Sequence, residues 1–155
     1  GGWGFEAAAE APDADSTGLA LAALAAGGAA REARSVRGGV LALRTLQRPD
    51  GGFAGFDGAT SAASTALAVE GLRAVGQDVD GPGWQGAGPG RWAPREALLL
   101  RQSPRGGFAG FAGPDDPGAT YAALRALAGA PLGRPAPRAL YLPLGFVPRG
   151  GAASR

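Results

Sequence analysis

The sequence predicts an all-α protein assembled from repeated two-helix units, and three observations carry that reading. A Gly-Gly-aromatic turn occurs three times, as Gly1-Gly2-Trp3-Gly4-Phe5, Gly51-Gly52-Phe53-Ala54-Gly55-Phe56 and Gly106-Gly107-Phe108-Ala109-Gly110-Phe111. The copies start 50 and 55 residues apart, the period of a helical-hairpin repeat. Each copy leads into a small-residue pair, Ser16-Thr17, Ser64-Thr65 or Ala119-Thr120, and then into a Leu/Ala-rich segment. A unit of that size cannot bury its own apolar face, so successive copies must stack on one another.

The elements follow in order. Placing Ser16-Thr17 on Ser64-Thr65 brings Leu19, Leu21 and Leu24 onto Leu67, Val69 and Leu72, and one repeat further onto Ala122, Leu124 and Leu127. Bulky residues three to five apart with alanine between them predict helices over 15–26, 62–75 and 117–129 that pack closely on their neighbours. A second helix type precedes each later aromatic turn. Over 33–47, Val36, Val40, Leu43 and Leu46 form one apolar stripe, and over 94–103 a proline suited to the first turn precedes Leu98, Leu99 and Leu100. The Gly/Pro-rich stretch 76–93, which carries Trp84 and Trp92, reads as an irregular loop. Residues 1–129 therefore form the repeat domain, and 130–155 read as a Pro/Gly/Arg-rich tail with little order.

Composition narrows the chemistry. All 15 basic residues among the 155 are arginine, and the net charge is only +2, too small for a nucleic-acid surface. Absence of cysteine removes disulfides, thiolate nucleophiles and Cys-based zinc sites. Absence of histidine removes the commonest metal ligand and general base, so neither a metal nor a cofactor is expected. No apolar run approaches the roughly 20 residues of a membrane-spanning helix.

Gln47-Arg48-Pro49-Asp50-Gly51-Gly52-Phe53 and Gln102-Ser103-Pro104-Arg105-Gly106-Gly107-Phe108 share a Gln-x3-Gly-x-Phe pattern. It resembles the QW repeat of triterpene cyclases, with Phe in place of the usual Trp, which the first copy keeps at Trp3. The resemblance spans about residues 1–129 and implies the α/α toroid shared by squalene-hopene cyclases, oxidosqualene cyclases, plant diterpene cyclases and protein prenyltransferase β subunits. In such a turn the glutamine ties a helix end to the turn, and the ring stacks on the helix behind it. Toroids of this family close with more repeats, so the chain is expected to be an incomplete barrel or arc, with the remaining repeats missing or supplied by another segment.

The same resemblance points to a site. Squalene-hopene cyclases follow Gly-Gly-Trp-x-Phe-Glu with a Pro-Asp-x-Asp-Asp-Thr motif that protonates the terminal alkene of the substrate. Here Gly1-Gly2-Trp3-Gly4-Phe5-Glu6 is followed by Pro12-Asp13-Ala14-Asp15-Ser16-Thr17. Asp15 matches the proton donor, Asp13 the first aspartate and Thr17 the threonine, while Ser16 departs from the family's third acid. Asp15-Ser16-Thr17 is similar to the Asp-Cys-Thr of oxidosqualene cyclases. In an extended segment before the helix, residues i and i+2 point the same way, so Asp13 and Asp15 are expected to share a proton, which raises one pKa. The resemblance implies an apolar isoprenoid substrate, a class II cyclisation needing no metal for its first step, and peripheral contact with a membrane.

Other readings of these residues stand beside that one. Asp13, Asp15 or Ser16 also fits a helix N-cap, where free N–H groups stabilise the ionised carboxylate. Asp115-Asp116 before Pro117 reads as a cap as well. Six of the 11 aromatics lie in the three turns, where packing is expected. Tyr121 is a candidate for the toroid interior, and Trp84 and Trp92 for an entrance or a lipid-facing surface, each also fitting plain packing. A non-catalytic repeat module that binds a ligand or a protein is the alternative function.

Overall fold

Asp13, Ser61 and Asp116 occupy the same position in the three repeats, and each starts a helix in the computed structural model, which describes residues 1–6 and 11–129. The Asp13 carboxylate accepts from the Ser16 N–H, the Ser61 hydroxyl from the Ser64 N–H, and the Asp116 carboxylate from the Ala119 N–H. Each satisfies a donor that the first helical turn leaves free, a contribution of about 1 kcal/mol per cap. The helices they start are α1 (Ala14–Ala26), α3 (Ala62–Ala74) and α5 (Pro117–Ala128). Between them lie α2 (Arg34–Leu46) and the short α4 (Pro94–Leu99). The described chain is all-α apart from one two-residue hairpin, β1 (Phe53–Ala54) with β2 (Thr60–Ser61), in which Phe53 faces Ser61 and Ala54 faces Thr60. The tail expected over 130–155 lies outside the described residues.

Helix α3 packs between α1 and α5, while α2 packs on α1 and α4 on α3 and α5. Asp15 of α1 neighbours Ser64 of α3 and, one turn on, Gly18 meets Leu67 and Ala68. Glu70 of α3 meets Arg125 of α5 and Arg73 reaches the Ala126 carbonyl, so all three helices run side by side in the same sense. The closest approach is between α1 and α3. A Cβ built at Gly18 would lie 2.4 Å from the Leu67 carbonyl oxygen, and one at Gly71 would lie 2.2 Å from the Gly18 carbonyl oxygen. Only glycine lets two backbones meet there. As the middle layer, α3 is buried on most of its surface, including Ala66, Ala68, Val69 and Leu72.

Between α3 and α5 the repeat-equivalent positions Glu70 and Arg125 form a buried ion pair. The guanidinium Nε and a terminal nitrogen each lie 3.2 Å from a carboxylate oxygen, and the side chains are 5% and 2% exposed. Burial pushes the Glu70 carboxyl up, against the hydrogen bonds and charge of Arg125. In turn, hydrogen bonding to Glu70 raises Arg125.

The aromatic turns are built as the glutamine pattern predicts. Gln47 Nε2 donates to the Gly51 carbonyl at 3.1 Å and to the Trp84 carbonyl at 2.6 Å, and Gln102 Nε2 donates to the Gly106 carbonyl at 3.0 Å. Gly51 and Gly106 hold φ of 83° and 91°, a left-handed conformation that side chains disfavour. Phe53 and Phe108 are fully buried behind them.

Two expectations change. The helix expected over 94–103 ends at Leu99, because Pro104 disfavours a helical Ser103 and the chain tightens first. The Arg101 and Gln102 N–H groups bond three residues back, to Leu98 and Leu99. The irregular stretch 76–93 contains a 3-10 turn at Pro82–Trp84, pinned to the end of α2. Arg44 donates to the Gly83 carbonyl and lies 4.8 Å over the Trp84 ring, which is 1% exposed. Trp84 is therefore a core residue and not part of an entrance or lipid-facing surface.

Replacing Gly18 or Gly71 by Ala will lower stability by about 1–3 kcal/mol in denaturant unfolding, since neither backbone can retreat from the added methyl. Gly27→Ala, whose added Cβ meets nothing closer than 3.4 Å, will stay near the parent value. Glu70→Gln, which removes the counter-charge of a buried guanidinium, will cost about 3–5 kcal/mol, and the double change Glu70→Leu with Arg125→Met will recover most of that loss.

Candidate active site at the start of the first repeat helix

Trp3, Asp13, Asp15 and Thr17 are brought together by one local device. The Thr17 hydroxyl accepts from the Trp3 N–H at 3.0 Å and donates to the Trp3 carbonyl at 3.0 Å, clamping the first turn to α1. Thr65 and Thr120 accept the Phe53 and Phe108 N–H groups in the same way, at 3.0 and 2.9 Å. Thr17 thus holds the turn in place, as its counterparts do in repeats without an Asp-x-Asp pair.

The two aspartates have different surroundings. Both Asp13 oxygens act as acceptors, one from the Ser16 N–H at 2.7 Å and the other from the Ser16 hydroxyl at 2.9 Å. Asp13 is in extended conformation, but α1 begins at Ala14, so Asp15 already lies in the first helical turn. The extended segment expected across both residues is absent, because the cap at Asp13 closes the helix one residue earlier. The side chains therefore do not follow the i, i+2 pattern of a strand, and Asp13 is committed to Ser16.

Asp15 is half-buried, and its Oδ1 is shielded from solvent with no hydrogen-bond partner among the described residues. Burial raises its pKa above the ordinary aspartate value of 3.8; the neighbouring Ser64 hydroxyl opposes that rise and the charge of Asp13 adds to it. The dipole of α1 favours the anion by only about 0.3–1 kcal/mol. An unpartnered buried acceptor costs about 1–3 kcal/mol, and more when charged, so desolvation wins and favours the neutral acid.

One repeat on, the position of Asp15 is taken by Ala63, and two repeats on by Gly118. Both line a cavity of about 570 Å³ between the second and third turns. Phe56 and Phe111 line it as well and are 102% and 103% exposed; Phe5, the matching ring of the first turn, is 92% exposed. Half of the turn aromatics therefore project into solvent, against the expectation that all six pack. In each later turn the first ring is drawn into the core, and the chain then turns at glycine, which leaves the second ring outside. The doubled aromatic in every turn was the sequence signal for this, as Ser64, the counterpart of Ser16, was for the neighbour of Asp15.

The remaining candidates lie elsewhere. Tyr121 is 49% exposed and stacks with Arg125, whose guanidinium carbon is 5.5 Å from the ring centre; it does not line the cavity. Trp92 is 39% exposed, and its carbonyl accepts the Gly86 N–H. Asp116 caps α5 as expected, whereas Asp115 bonds the Ser103 hydroxyl and pairs with Arg105 at 2.5 Å. Among the described residues no cluster of acidic side chains fit to hold a metal ion occurs, and no helix is long and apolar enough to cross a membrane. Comparison with protein-family models, characterised proteins and solved structures finds no match to the chain.

A carboxyl whose pKa is higher folded than unfolded binds its proton more readily in the folded state. Its stabilisation is therefore complete below 3.8 and is lost as pH rises through the folded value. Asp15→Asn will accordingly raise the urea midpoint at neutral pH and leave it unchanged below 3.8. An equal midpoint for variant and parent at both pH values would contradict the burial of an unpartnered carboxyl.

Proposed function

We propose that the chain is part of an α/α toroid of the terpene cyclase type and that Asp15 is the acid that starts cyclisation of a polyprenyl substrate. The observation that carries this reading is the Asp15 carboxyl, half-buried, with one oxygen lacking a partner among the described residues and a pKa raised by desolvation. Such a group holds its proton more tightly than an ordinary aspartate, the direction an alkene-protonating acid needs. Three same-sense helices with equivalent caps and turns support the toroid, and the match of Asp15 to the cavity-lining Ala63 and Gly118 supports an inward-facing acid.

In the initiating step the Asp15 O–H proton bonds to one carbon of a terminal alkene, whose π electrons form the new C–H bond. The other carbon becomes a tertiary cation that the next alkene attacks to close a ring. The Ser64 hydroxyl is placed to stabilise the Asp15 carboxylate left behind. Asp13 supplies negative charge beside the developing cation and discourages early ionisation of Asp15. Loss of a proton from the final cation makes the overall change an isomerisation.

The alternative, a non-catalytic toroid module that binds an apolar ligand, is favoured by the recurrence of the Asp13 cap at Ser61 and Asp116. Incubating the protein with squalene and geranylgeranyl substrates, beside Asp15→Asn, separates the two. Cyclised product by mass spectrometry, reduced at least about a thousandfold in the variant, is expected of the acid. No product from a folded parent would leave the binding module.

A further inference from the structure

We propose that the cavity between the second and third aromatic turns binds a small apolar cation, a quaternary ammonium carried on a short hydrocarbon body. Asp15 is not among the residues lining this cavity, so the inference is independent of the acid assigned above. At about 570 Å³ the space suits a small organic molecule. Its apolar surface comes from the rings of Phe56 and Phe111 and from alanines that include Ala62, Ala63 and Ala119. Both rings are fully exposed, so their faces are available to a ligand.

The charges decide which ligand fits. Three charged side chains line the cavity: Asp57, Arg101 and Asp116. Arg101 is already engaged, with Asp50 at 2.5 Å and with the Ala97 and Thr60 carbonyls. Its charge is balanced by Asp50, and an anionic head such as a diphosphate would have to displace that partner. Neither Asp57 nor Asp116 forms an ion pair among the described residues. Asp57 accepts the Ala59 N–H, and Asp116 accepts those of Ala119 and Ala112. The lining therefore carries two carboxylates that have no ion-pair partner among the described residues, beside two open aromatic faces. Aromatic faces and carboxylates both attract a cation, and a quaternary ammonium keeps its charge while giving up little hydration.

The test is calorimetric titration of the protein with hexyltrimethylammonium, hexanol and hexanoate, which share one chain and differ in the charge of the head. The ammonium is expected to bind at least about tenfold more tightly than hexanol, with hexanoate the weakest of the three. In Phe56→Ala with Phe111→Ala, whose exposed rings leave the core untouched, ammonium affinity will fall about tenfold. In Asp57→Asn with Asp116→Asn, where asparagine keeps the helix cap, the ammonium will lose its advantage over hexanol. Thermal unfolding of each variant checks that it is folded, and the phenylalanine pair decides the matter if the asparagine pair is not. Hexanol or hexanoate binding as tightly as the ammonium, no binding by any of the three, or a phenylalanine variant that binds like the parent would each overturn the proposal.

Discussion

Three threonine hydroxyls, one in each repeat, bond the backbone N–H of the aromatic that opens the preceding turn, and the other features of the molecule are arranged around them. Without Thr17, Thr65 and Thr120 the N–H groups of Trp3, Phe53 and Phe108 would lose their partners, two of them beside a fully buried ring. A buried donor left unmade costs about 1–3 kcal/mol, so this bond holds the turn to the first turn of the helix. That contact sets where the cap falls, four residues before the threonine, and hence that Asp15 enters the helix. It also sets where the chain leaves the core, and so which ring of each turn meets solvent.

Within that shared frame the repeats differ where they touch. The position that is Gly18 in α1 is Ala66 in α3, and the helix pair containing Gly18 has backbones in direct contact. Between α3 and α5 the space is filled by Glu70 and Arg125, one repeat position used with opposite charge on neighbouring helices. A similar exchange occurs in the turns. Asp50 bonds the Thr60 hydroxyl, while the matching pair one repeat on is Arg105 with Asp115. Burial lowers the dielectric around Glu70 and Arg125, so a mismatched repeat there would leave a charge without compensation. Complementary side chains at equivalent positions thus favour one order of repeats.

Asp15 is the exception to this economy of partners. Asp13, Asp50, Asp115 and Asp116 all accept hydrogen bonds that are well placed for a carboxylate. Asp15 has a shielded oxygen with no donor among the described residues and a neighbour of its own charge. Folding brings α3 against the first turn of α1 and removes water, and the Ser64 hydroxyl that α3 supplies only partly offsets that loss. A group held at such a cost in an otherwise satisfied set of acids is where function, not stability, is most simply sought.

Sequence alone determined the repeats, the helices that follow the turns and the glutamine ties, and it placed one cap among Asp13, Asp15 and Ser16 and another at Asp115-Asp116. These rest on bonds between residues a few positions apart, and short-range geometry is written in residue type and spacing. Tertiary structure decided the burial of Trp84, the exposure of Phe56 and Phe111, the desolvation of Asp15 and the pairing of Glu70 with Arg125. Trp84 and Phe56 show why. Each is an aromatic beside glycine, and what separates them is whether Arg44 and the end of α2 arrive to cover the ring. That depends on how the helices stack, because burial and charge compensation are properties of neighbours distant in the chain.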